Sequence, residues 1–94
     1  FLQLVGHVAD GHEYYVRHAR GDEVAWAETI EHAVRTPDEA IEAMRQAAAR
    51  LLEAAAAPGA RIAPVVDALA HASLHYGNAA TQLRAMGLVP PSSE

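Results

Sequence analysis

The segment His71-Ala-Ser-Leu-His75 places two histidines four residues apart. On a helix that spacing stacks the side chains on one face, about one turn from each other, so that two imidazoles reach one metal ion. A third histidine, His7, lies in an early helical segment, Leu4-Val5-Gly6-His7-Val8-Ala9-Asp10. One His plus an HxxxH pair supplies three neutral nitrogens, the set a catalytic zinc site uses when it keeps a fourth position open. Three neutral ligands leave the ion its positive charge, which lowers the pKa of a bound water toward ~7 or holds a thiol as its thiolate. The first route leads to hydrolysis and the second to thiol transfer. Imidazole accepts several divalent metals, with Zn and Ni the leading expectations.

The groups around such a triad are less specific. A ligating imidazole usually donates its second N–H to a carboxylate or carbonyl. Asp67, four residues before His71, and Asp10, three after His7, are placed to receive it. Both read equally well as ordinary surface acids near helix starts. No carboxylate stands where an HExxH motif would supply a general base. Asp10, Glu13 and Tyr14 are weak candidates for proton transfer, and no catalytic residue is assigned. His12 falls nearer the centre of its helix's apolar face. It reads as a buried ring bonded to a backbone carbonyl, as a support to a ligand, or as a substitute ligand. His18 sits near a helix C-terminus, where a cation suits the dipole. His32 follows Glu28 by one turn, as a solvated pair would.

Three helices must position these residues. The first is expected from Phe1 to about Arg20, ending near Gly21, with Phe1, Val5, Val8, Tyr15, Val16 and Ala19 on its apolar face. Residues 21–35 are ambiguous: a turn at Gly21-Asp22-Glu23, then a helical turn or ordered loop over 24–30, pinned to the bundle by Trp26. The second helix has a marked start in Thr36-Pro37-Asp38-Glu39, with Thr at the N-cap, Pro at the first helical position and Glu at the third. It is expected to run to about Ala57 and stop at Pro58-Gly59, burying Ile41, Met44, Ala48, Leu51, Leu52 and Ala55. The third begins near Ala63-Pro64 and ends at Gly87, with Pro90-Pro91 beyond. Its apolar stripe reads Val65, Ala68, Leu69, Ala72, Tyr76, Ala79, Leu83 and Met86. A polar stripe of His71, His75, Asn78 and Gln82 runs beside it. Antiparallel packing of the first and third helices would bring the three histidines together.

Composition supports an all-α domain. Of 94 residues 22 are Ala, the best helix former, and no alternating run is long enough for a strand. The length suits a single domain over 1–94 with a modest core. With no cysteine, disulfides and thiolate metal ligands are excluded. A formal charge of −5 with seven Lys and Arg disfavours nucleic-acid backbones. No apolar stretch of membrane-spanning length and no signal-peptide pattern is present, which makes a cytoplasmic protein the default.

Two segments carry a family resemblance. Val5-Gly6-His7-Val8-Ala9-Asp10-Gly11-His12 followed by Tyr14-Tyr15 resembles the second helix of the DinB-like (YfiT-like, damage-inducible) metalloproteins. His71-x-x-x-His75-Tyr-Gly-Asn, with Leu83-Arg84, Gly87 and Pro90-Pro91, resembles that family's last helix and exit. The similarity covers both ends of the chain, whereas the middle matches only in being helical. It implies a four-helix bundle whose first helix is missing here, and a divalent metal on His7, His71 and His75. It further implies a metal-dependent hydrolase or a transferase acting with a low-molecular-weight thiol, often as a homodimer. Two alternatives are a non-catalytic metal-binding module and a helical dimerisation module.

Overall fold

The computed structural model describes residues 2–90. Phe1 of the first helix's expected face and Pro91 of the terminal Pro-Pro lie outside them. Four helices follow one another: α1 (Leu2–Ala19), α2 (Thr29–Ala33), α3 (Pro37–Ala56) and α4 (Ile62–Ala85). Among the described residues there is no strand.

The ends of the long helices follow from local chemistry. α1 closes at Gly21, whose φ of +94° suits the residue without a Cβ. Asp22 N–H donates to the Arg17 carbonyl and Gly21 N–H to that of His18, each at 3.0 Å, which satisfies two carbonyls of the last turn. α3 opens with Thr36 accepting from Glu39 N–H at 3.2 Å, while the Glu39 carboxylate accepts from Arg35 N–H at 2.7 Å. α4 closes as α1 does, with Gly87 at φ +80° and Leu88 N–H on the Leu83 carbonyl at 2.9 Å. Pro64 lies in the first turn of α4, where its missing N–H leaves no bond unmade.

α1 is the hub. It packs against α2, α3 and α4, whereas α3 and α4 meet only sparsely. The core is built of small side chains: Ala9, Val16 and Ala19 of α1; Ala40, Ala47, Leu51 and Ala54 of α3; and Ala68 of α4. Alanine lines let the helix axes come close. The turn after α3 is tied back by Arg61 N–H donating to the Ala19 carbonyl at 3.0 Å. No helix of the described residues is long and apolar enough to cross a membrane.

The expected faces need correction. Leu51 is buried as expected, but Ile41 and Leu52 are 53% and 74% exposed, and α3 turns Ala40, Ala47 and Ala54 onto α1 beside Leu51. On α4, Leu69, Tyr76 and Met86 are exposed, while Val65, Ala68, Ala72 and Ala79 turn inward. In helices this rich in alanine, several faces satisfy the apolar period, and the closest backbone approach selects among them. The all-helical class stands. The contacts do not establish a DinB-like four-helix bundle, because α2 has only five residues and α3 and α4 hardly touch. The expected absence of a first helix finds no support in this arrangement.

Candidate metal centre

α1 and α4 bring His7, His71 and His75 together, with one nitrogen of each within 4.8 Å of the others. The His7 and His71 Nε2 atoms are 3.2 Å apart across 64 residues of sequence. All three rings pack face to edge or tilted, with centroids 4.6–5.0 Å apart.

Two of the three rings are held from behind by a side-chain oxygen. His7 Nδ1 lies 2.9 Å from Glu31 Oε1 of α2. A carboxylate accepts, so Nδ1 carries the proton and Nε2 keeps its lone pair toward His71. His75 Nδ1 lies 3.1 Å from Asn78 Oδ1, one turn on, which frees its Nε2 in the same way. His71 has no such support: its Nδ1 is buried and has no hydrogen-bond partner among the described residues. That edge of the ring rests on Gly11, where an added Cβ would meet Nδ1 and Cε1 at 2.6 Å. Burial lowers the His71 pKa, and neighbouring His75, His7 and His12 lower it further, so the ring favours its neutral form.

These features fit a metal. Two nitrogens about 2.0–2.1 Å from one tetrahedral ion stand roughly 3.3 Å apart. The His7–His71 separation is close to that without rearrangement. Trp26 closes one side of the cluster, its ring centroid 5.3 Å from that of His7 and 5.5 Å from that of His71. Tyr14 lies behind it at 5.2 Å. The expected pinning role of Trp26 is thus realised over the histidines themselves.

The other expected residues fall elsewhere. Asp10 does not reach His7; its carboxylate accepts from Ile30 and Glu31 N–H at the start of α2. Asp67 does not bond His71. Its charge instead acts on Tyr15, whose phenol is pushed above its ordinary range by burial first, then by Asp67 and Tyr14. Glu13 holds Arg50 Nε at 2.6 Å. Together with Asp10, Tyr14 and Arg17 these two line a cavity of about 350 Å³ that none of the three histidines borders. His12 is 5% exposed and outside the triad. Burial lowers its pKa, against the raising effects of the Val8 carbonyl and the Glu13 charge. His18 Nε2 lies 3.4 Å from the Val24 carbonyl, and His32 pairs with Glu28 at 3.1 Å as expected.

Sequence reasoning missed Glu31. Its role depends on how α2 docks, and no spacing within the chain encodes that. Asn78 stood in the polar stripe, and its i,i+3 relation to His75 was the available signal. No protein-family model, curated protein or solved structure matches the chain. The DinB-like resemblance therefore rests on the quoted motifs alone.

Proposed function

We propose that the protein holds one divalent metal ion, zinc or nickel, on His7, His71 and His75. The observation that carries this reading is the convergence of three imidazoles, two of them with Nδ1 already engaged by Glu31 and Asn78. Bound there, the ion would supply a Lewis acid with a position left for a small molecule. His7 and His75 would be fixed in tautomer by their partners, His71 kept neutral by burial, and water restricted on one side by Trp26. This arrangement supports the hydrolase or thiol-transferase chemistry that the DinB-like resemblance implies, with a cytoplasmic low-molecular-weight thiol as the candidate substrate.

A second reading, metal sequestration without turnover, has one observation in its favour: the 350 Å³ cavity is lined by none of the three ligands. Elemental analysis of the untagged protein beside a His71→Ala/His75→Ala variant tests the metal. About one equivalent per chain, lost in the variant, is expected for three-histidine ligation. No metal in either protein after reconstitution with Zn²⁺ and Ni²⁺ would remove both readings. Turnover of ester or thiol-conjugate substrates by the loaded protein then separates the enzyme from the sequestering module.

A further inference from the structure

α2 has five residues, too few to be stable alone, because a nucleating turn costs more than its hydrogen bonds return. Its own N-cap, Glu28, makes no side-chain cap bond. The cap comes from another helix. Asp10 of α1, 5% exposed, accepts from Ile30 N–H on Oδ1 at 2.9 Å and from Glu31 N–H on Oδ2 at 2.8 Å. These are the second and third N–H groups of α2, the ones an N-cap side chain normally satisfies, and a carboxylate there also suits the helix dipole. Gly6 permits the approach: a Cβ on it would come within 2.8 Å of Glu31 Cα. The residue so fixed, Glu31, is the one whose carboxylate accepts the hydrogen bond from His7 Nδ1–H.

We infer that Asp10 and Gly6 are positioning residues for the metal centre: they dock α2 onto α1 so that Glu31 locks His7 in the tautomer that presents Nε2 to His71. The inference rests on the metal-binding reading for its purpose. Its geometry is independent of that reading, since the tautomer is a property of the metal-free protein. Without the Asp10 carboxylate α2 loses its nucleus, Glu31 leaves His7, and the ring reverts to the mixture of tautomers of a free imidazole. Groups that support a ligating histidine typically change metal affinity by about 10–100-fold.

The test uses the full chain, with Asp10→Ala, Glu31→Ala and their combination. In metal-free protein the ¹⁵N shifts of His7 should report Nδ1–H in the wild type and the mixed state in all three variants. Zn²⁺ affinity, measured by competition with a chromophoric chelator, should fall about tenfold in each single variant and no further in the double, since Asp10 acts through Glu31. Asp10→Asn, which keeps the shape but sets an amide donor against one of the two α2 N–H groups, serves if Asp10→Ala does not fold. Gly6→Ala should reproduce its effect by steric means. An unchanged His7 tautomer in Asp10→Ala or Asp10→Asn would overturn the inference, as would losses of affinity that multiply in the double variant. A protein that shows the tautomer change yet binds no Zn²⁺ would support the positioning and sink the metal reading instead.

Discussion

The ring of His71 lies directly on Gly11, close enough that any larger residue there would place its Cβ 2.6 Å from Nδ1 and Cε1. A histidine of α4 is thus seated on bare backbone of α1. Gly11→Ala should swing the His71 ring away from His7 and weaken Zn²⁺ binding by at least the ~10-fold seen when a ligand's support is lost. Competition titration measures it. Unchanged affinity would mean that the ring relocates without leaving the triad.

Trp26, the single tryptophan, reports on the site through its nearness to His7 and His71. Ni²⁺ or Co²⁺, whose d-electrons accept excitation energy, should quench its fluorescence saturably, and Zn²⁺ should not. The quenching should vanish in His71→Ala/His75→Ala. Quenching that persists in that variant would place the metal elsewhere.

The pH dependence of stability has a defined sign. His12 and His71 both have pKa values lowered by folding from 6.5. The unfolded chain therefore binds more protons below that value, and stability rises with pH there. For the metal-free protein, the urea midpoint should be flat above pH 7 and fall as pH drops from 6.5 through the folded-state values. His12→Leu should flatten that fall. A midpoint independent of pH in this window would show that neither ring is protected in the fold.

Core and surface positions on the helices should separate cleanly. Val16, 2% exposed, is the largest fully buried side chain among the described residues, and Val16→Ala should cost about 2 kcal/mol. Leu52→Ala, at a position 74% exposed, should stay within about 0.5 kcal/mol. Denaturant unfolding of the two variants measures the difference. An equal loss in both would mean that Leu52 is covered in solution.

What could be read from the chain divides along local and non-local lines. Thr36-Pro37 and Gly87 announced helix ends because a cap is made by neighbours in sequence. His71 and His75 announced a shared face for the same reason. Of the α3 face only Leu51 was legible among the fully buried positions, since alanine fits either side and α1 decides between them. Asp10 looked like a partner for His7 because it is near it in sequence. It instead spends both oxygens on backbone twenty residues away, a choice visible only once α2 is placed.

Because α3 and α4 each pack far more on α1 than on one another, the molecule resembles two leaves on one spine. Amide exchange should therefore resolve separate openings for residues 37–56 and 62–85. The openings have unequal consequences. Lifting α3 leaves all three imidazoles where they are, whereas lifting α4 carries His71 and His75 away together and dismantles the cluster in one movement. Any ion the cluster holds would therefore slow exchange in α4 and leave α3 untouched.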